Sequence, residues 1–217
     1  MVDGSFLGDY ARIYDYAHNL LRSNPRSIVK VHVQPAQEGN DVKKLYFQRL
    51  YICLTNYKEN FKLSTHFIRL DGCFLKGLCG GQILAAMGRD PNDQMLPIAY
   101  AVVECENNDN WTWFLELLID DLGGREYCLT YTFISDQQKG LLPAIEELLS
   151  RVEQRFCAGH LYNNFRKRYP GKKAKGNHME SCQVNLLPNL GKRDESNERV
   201  QWRSIQAHDE HPSKVLE

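Results

Sequence analysis

The pattern of apolar and polar positions in residues 1–60 predicts a helix followed by two strands. Apolar residues recur at helical intervals from Tyr10 to Leu21, and the Asn24-Pro25 pair that follows predicts the end of this helix. Two runs with strand character come next, at residues 27–33 and 44–54, and a loop rich in turn-forming residues separates them. Residues 1–60 are therefore predicted to form a helix and a hairpin ahead of the main domain.

The next segment, residues 61–171, alternates between the periods of strands and helices and is predicted to be the main domain. Strands are predicted at residues 67–74, 82–88, 97–104, 131–135 and 152–156, and helices at residues 109–122, 142–149 and 157–168. Three consecutive strands followed by alternating helices and strands predict a mixed α/β sheet. The crossover connections are expected to make the later strands parallel to the first.

Large apolar side chains become rare in the last part of the chain. Residues 171–217 contain a single aromatic residue, Trp202, and many Gly, Asn, Ser, Lys and Glu residues. Because aromatic side chains dominate core formation, this segment is expected to bury little apolar surface. We therefore predict that the folded core ends near residue 171 and that residues 172–217 form a poorly ordered tail.

The composition narrows the class of protein and its environment. Lys and Arg number 27, as do Asp and Glu, so nucleic-acid contact would require a local basic patch. The longest apolar runs are too short to span a membrane, and the N-terminus lacks the pattern of a signal peptide, so no membrane partner is expected. Seven cysteines without a CxxC motif favour a reducing compartment, the cytosol or the nucleus.

Two aspartates lie where strands rarely carry them. Asp71 falls inside the first main-domain strand, and Asp136 follows the fourth. If these strands are parallel neighbours, both carboxylates converge at one edge of the sheet. Close carboxylates repel unless a cation lies between them, and their hard oxygens suit Mg²⁺ or Mn²⁺. The alternative is that Asp71 precedes a turn at Gly72 and that Asp136 caps a helix.

A cysteine and a histidine form a second group of candidate residues. Cys157 and His160 are three positions apart at the start of the last predicted helix, so their side chains share a face. A thiolate and an imidazole are half of a zinc site. His178 and Cys182 could complete such a site, but a buried thiol beside a hydrogen-bonded histidine is the commoner arrangement. We do not expect zinc.

The end of the same helix carries a basic patch with interleaved aromatic residues. No acidic residue occurs between Glu153 and Glu180. This patch could contact a phosphate backbone, serve as a nuclear import signal or simply be solvated. Its basic residues are Arg166, Lys167, Arg168, Lys172, Lys173 and Lys175.

Several motifs together resemble one family. They are LDGCFLKG at residues 70–77, GRDPNDQMLPIAYAVVE at 88–104, WTWFLELL at 111–118, ISDQQKGL at 134–141 and FCAGHLYNNF at 156–165. In these motifs residues 66–171 resemble the central core of plant Mutator-like (MULE) transposases, and residues 10–54 resemble the segment that precedes it. The resemblance covers about three quarters of the chain, and the combination of motifs is specific.

The resemblance implies a ribonuclease H-like fold and a DDE catalytic triad. Asp71 matches the first acid and Asp136 the second, and both would hold Mg²⁺ or Mn²⁺. Cys157 and His160 match the C-x2-H motif of the family. The implied partner is DNA at transposon ends, the implied location is the nucleus, and self-association is left open.

The third acid of the family is a glutamate on a helix downstream of the C-x2-H motif. The chain stops resembling the family after about Ala174, and the stretch from 154 to 179 contains no carboxylate. The acids that follow this stretch cannot be aligned with the glutamate of the family; they are Glu180, Asp194, Glu195 and Glu198. The sequence therefore predicts a truncated, catalytically incomplete copy. The alternative is a domesticated, non-enzymatic DNA- or protein-binding regulator of the far-red-impaired-response type.

Overall fold

The computed structural model describes residues 12–35, 45–64, 66–76 and 80–168. Lys172, Lys173, Lys175 and the rest of the predicted tail lie outside the described residues, as do His178 and Cys182. The predicted domain boundary at residue 171 therefore stays a prediction.

The described residues form helices and strands in the order that the sequence predicts, with two short helices added. The elements are α1 (Ile13–Ser23), β1 (Ile28–Pro35), β2 (Leu45–Cys53), α2 (Thr55–Lys62), β3 (Phe67–Phe74), β4 (Gln82–Arg89), β5 (Met95–Val103), α3 (Asn108–Leu122), α4 (Arg125–Cys128), β6 (Thr132–Ser135), α5 (Leu141–Leu149), β7 (Glu153–Phe156) and α6 (Ala158–Arg168).

The strands form one mixed sheet in the order β1-β2-β5-β4-β3-β6-β7. The pairs β1–β2, β2–β5, β5–β4 and β4–β3 are antiparallel, whereas β3–β6 and β6–β7 are parallel. This arrangement confirms the predicted mixed α/β sheet and the parallel later strands. Because β4 is antiparallel to both β3 and β5, strands β3, β5, β6 and β7 all run in the same direction.

One face of the sheet is buried beneath α3 and α5. Alternate residues of β3 and β4 point into this core, Ile68 and Leu70 from β3 and Leu84 and Ala86 from β4. Helix α3 adds a stripe of fully buried large side chains, each contributing roughly 1.5–3 kcal/mol by its removal from water. The stripe consists of Trp111, Phe114, Leu115 and Leu118.

The ends of α3 explain its length. The Asn107 side chain accepts a hydrogen bond from the Asn110 amide at 2.8 Å and caps the N-terminus. Asp109 lies in the first turn, where its charge favours the positive end of the helix dipole. Gly123 ends the helix with a φ of 106°, a left-handed conformation that glycine adopts without a steric penalty.

The N-terminal helix and α2 extend this core. Helix α1 packs against β1 and buries Ala17. Helix α2, which the sequence does not predict, buries Phe61 against Gly88 of β4. Within the described residues, no helix is both long and apolar enough to cross a membrane.

Candidate functional site

Asp71 and Asp136 lie level with each other on neighbouring parallel strands. The pairing of β3 with β6 places Phe67 beside Thr132 and Arg69 beside Ile134. Two residues further along, the same register brings Asp71 level with Asp136, which directly follows β6. The predicted adjacency of the two strands is therefore confirmed, and both aspartates lie at one edge of the sheet.

The C-x2-H motif lies at the same edge. Strand β7 pairs with β6 so that Phe156 lies beside Ser135, which brings Cys157 level with Asp136. The Cys157 amide donates a hydrogen bond to the Ser135 carbonyl at 2.7 Å, and the Cys157 carbonyl accepts from Leu161 at the start of α6. Both motif residues, Cys157 and His160, are half-buried, and the Nδ1 atom of His160 is buried without a hydrogen-bond partner among the described residues.

Asp71 is paired with an arginine two residues before it on the same strand. Arg69 Nη2 donates to Asp71 Oδ2 at 3.0 Å. The two side chains are 42% and 36% exposed, so solvent screens the pair, and pairs of this kind contribute at most about 1 kcal/mol. The Asp71 carboxylate is therefore held only weakly by Arg69.

Asp136 begins the loop between β6 and α5. Its Oδ1 atom accepts a hydrogen bond from the Gln138 amide at 3.1 Å. The first amides of α5 are bonded instead by the Gln138 side chain, whose Oε1 atom accepts from Leu141 at 2.7 Å and also from Gly140. The structure therefore assigns the capping role to Gln138 and leaves the second carboxylate oxygen of Asp136 available at the sheet edge.

A third carboxylate, Glu106, which sequence reasoning missed, lies near this edge on the face of β3 opposite to the Asp71 side chain. Glu106 follows β5, and its carboxylate lies so close to Gly72 that a Cβ atom there would be 2.6 Å from the Glu106 Cδ atom. The Trp111 indole donates to Glu106 Oε1 at 3.1 Å. The Gln138 side-chain amide donates to the Glu106 backbone carbonyl at 3.2 Å and so joins the β5–α3 loop to the β6–α5 loop.

The electrostatic surroundings of Glu106 link it to both aspartates. Burial raises the pKa of the Glu106 carboxyl above its usual value, the Trp111 hydrogen bond lowers it, and the charges of Asp136 and Asp71 raise it further. The three acids therefore share one electrostatic environment. The sequence contains a signal for this placement, because the third of three meandering strands runs parallel to the first and ends at the same edge.

The residues at this edge suit a divalent cation by their chemistry, but not by the arrangement of their side chains. Three carboxylates supply the hard, anionic oxygens that Mg²⁺ and Mn²⁺ prefer. Their side chains are not gathered around a common point: within the described part of the chain, no three His, Cys, Asp or Glu side chains are arranged to hold a metal ion. Arg69 occupies one of the two Asp71 carboxylate oxygens, so an ion would compete with it there.

The described part of the predicted basic patch lies in the last turn of α6. Arg166, Lys167 and Arg168 are exposed there, and the Arg166 guanidinium lies 5.8 Å from the ring centroid of Tyr162. At 1.5 Å per residue, this turn begins roughly 13 Å along the helix from Cys157. The patch is therefore separate from the acidic edge, by which we mean the sheet edge where Asp71, Asp136 and Glu106 lie.

Comparison with known proteins gives one family. Residues 67–164 match the family model of the MULE transposase domain, from the start of β3 into α6, and the match includes Asp71, Glu106 and Asp136. A search of curated proteins gave no match. The match over residues 67–164 therefore supports a protein derived from a Mutator-like transposase.

Proposed function

We propose that this domain holds Mg²⁺ or Mn²⁺ through Asp71 and Asp136 and, contrary to the catalytically incomplete copy that the sequence predicts, acts on DNA by cleaving and transferring strands. The observation that carries the proposal is the level placement of the two carboxylates at one edge of parallel strands, within a MULE transposase domain. The sheet supports a ribonuclease H-like fold, because β3, β4 and β5 are antiparallel and β6 and β7 extend the sheet in parallel from β3.

The chain's own residues would orient the site. Asp71 and Asp136 would supply the oxygens that hold the cation, and Gln138 would fix the loop that carries Asp136. A bound divalent ion supplies Lewis-acid stabilisation of the charge that develops on a phosphate under in-line attack. Arg69, once displaced from Asp71, would offer a positive charge at the same edge to a phosphate oxygen.

The proposed partner is DNA, with transposon ends as the substrate that the resemblance implies. Arg166, Lys167 and Arg168 are exposed on α6 and would contact the phosphate backbone. Lys172, Lys173 and Lys175 would continue the patch. A nuclear location, a plant origin and self-association belong to the same proposal.

A second candidate is a metal-independent regulator that binds DNA or protein. The ion pair between Arg69 and Asp71 favours this candidate, because the guanidinium occupies a carboxylate oxygen that an ion would need. Metal dependence separates the two functions, since a binding module requires no cation at the acidic edge.

The test is cleavage of end-labelled duplex DNA in Mn²⁺. The wild type is compared with Asp71→Ala and Asp136→Ala, and Glu116→Ala on the exposed side of α3 is the control for loss of a carboxylate. We expect nicks with the wild type and the control, and none with either aspartate variant or after addition of chelator. DNA binding by all four proteins without cleavage by any of them would favour the regulator instead.

A further inference from the structure

We propose that helix α6 binds unpaired bases of single-stranded DNA by stacking them on Tyr162 and Phe165. The inference rests on the proposed function, in which α6 contacts DNA, and it names the form of DNA that this helix takes. The surface consists of Tyr162, Phe165 and Arg166, and we call it the aromatic face of α6.

The aromatic face combines two rings with a positive charge. Phe165 and Arg166 follow Tyr162 by three and four positions, so the three side chains lie on one side of the helix. The two rings start roughly 4.5 Å apart along the helix axis. Phe165 is 38% exposed, and the half-buried ring of Tyr162 lies 5.8 Å from the Arg166 guanidinium. The face therefore presents flat apolar surface beside a cation.

Helix α6 is anchored to the sheet at its N-terminal end and is little covered beyond it. The anchor is Cys157, whose amide donates a hydrogen bond to the Ser135 carbonyl. None of the residues from Ala158 to Arg168 is fully buried, and no other described element packs extensively against this helix. A short helix normally derives its stability from burying its apolar face. The partly exposed rings of α6 are therefore accessible to a binding partner.

The charge of α6 indicates that this partner is a polyanion. Arg166, Lys167 and Arg168 are exposed in its last turn, and no acidic residue occurs from residue 154 to 179. Basic side chains neutralise phosphates and aromatic rings stack on bases, and surfaces that bind single strands combine the two. Because the bases of a duplex are stacked on one another, only an unpaired strand offers both its phosphates and its base faces to this helix.

The test measures the fluorescence anisotropy of labelled oligothymidylate, which forms no base pairs, and of a duplex of the same length, both in chelator. Phe165→Leu keeps an apolar side chain but removes the ring, and Tyr14→Leu, which removes an exposed ring from α1, is the matched control. We expect Phe165→Leu to weaken the binding of oligothymidylate by about fivefold or more, the factor that stacking on one base contributes. Its affinity for the duplex should be unchanged, because phosphate contacts remain. Tyr14→Leu should bind both like the wild type.

The other outcomes separate failure of the inference from failure of the proposed function. Thermal unfolding shows that each variant is folded. Unchanged affinity of Phe165→Leu for oligothymidylate, or an equal loss for both forms of DNA, would overturn base stacking and leave DNA as the proposed partner. A wild type that binds neither form would overturn the proposed partner itself. A dimer in sedimentation velocity that Phe165→Leu dissociates, with DNA binding unchanged, would overturn the inference and assign the ring to a second copy of the chain.

Discussion

The residues of the acidic edge differ in how firmly they are held. Glu106 is fixed by Trp111 and by the close approach of Gly72, whereas Asp71 is held by a half-exposed ion pair with Arg69. Because exposed ion pairs contribute at most about 1 kcal/mol, a cation can displace Arg69 at little cost. At the scale of single residues, Arg69 is therefore a competitor of the metal ion for Asp71.

Arg69→Gln is accordingly expected to tighten Mn²⁺ binding. The gain should be less than about tenfold, since tenfold corresponds to about 1.4 kcal/mol and the pair contributes less. Titration calorimetry checks the affinity, with Arg151→Gln, an exposed arginine paired with Glu126, as the control. Weaker binding in Arg69→Gln would show that the guanidinium supports the site instead of competing with the ion.

The cysteines provide a second prediction at the residue scale. Burial raises the pKa of the Cys53 thiol to about 12 and that of Cys128 to about 11, whereas Cys73 and Cys105 are exposed. Because the thiolate is the reactive form, Cys53 and Cys128 should resist iodoacetamide at pH 8 until the protein unfolds. Mass spectrometry of labelled peptides checks this. Native labelling of Cys53 at the rate of Cys73 would contradict the packing around β2.

At the scale of elements, the sequence predicts the helices and strands in which buried and exposed side chains recur at a regular period. The alternation in β4 and β5 and the apolar stripe of α3 make these elements recognisable. Helix α2 escapes prediction because Thr55 and Phe61 are its only buried residues and its stability comes from tertiary packing. Asp71 and Asp136 could be predicted from their places on strands. Glu106 could not be found from the family pattern, because that pattern places the third acid after Cys157.

Two glycines, Gly140 in the loop before α5 and Gly72 in β3, are expected to differ in how much replacement by alanine lowers the stability. Gly140 has a φ of −83°, which alanine adopts readily, but the new Cβ atom would meet the Asn107 backbone. Since backbone cannot move aside cheaply, Gly140→Ala should cost about 1–3 kcal/mol in urea unfolding. The nearest atoms to a Cβ atom at Gly72 belong to the far end of the flexible Glu106 side chain, which can move aside, so Gly72→Ala should cost less. Wild-type stability of Gly140→Ala would contradict the close approach of the two loops.

At the scale of the whole molecule, equal numbers of basic and acidic residues mean that DNA binding must rest on a local patch. In the described residues, the last turn of α6 concentrates three basic side chains, and none of the residues of this helix is fully buried. The patch is therefore expected to bind the DNA backbone weakly, without sequence preference, and with a steep dependence on salt.

Replacing Arg166, Lys167 and Arg168 together with glutamine tests this expectation. Affinity for unrelated duplexes should fall equally, and the slope of log K against log salt should decrease by about 0.9 for each phosphate that the variant no longer neutralises. Fluorescence anisotropy across a salt series gives the slope. The matched control replaces three exposed basic residues from the N-terminal part of the chain, Arg12 before α1, Arg22 in α1 and Lys30 in β1. An equal effect of the control would show that binding does not depend on α6.

The central claim is that Asp71 on β3 and Asp136 after β6 form one divalent-metal site, and iron-directed cleavage of the protein chain tests it most directly. Fe²⁺ substituted for Mg²⁺ generates hydroxyl radicals with ascorbate and peroxide, and these radicals cut the backbone beside the bound ion. The account predicts fragments that end near Asp71 and Asp136, and their suppression by excess Mg²⁺. Cuts at other places, or cuts that Mg²⁺ does not suppress, would contradict it.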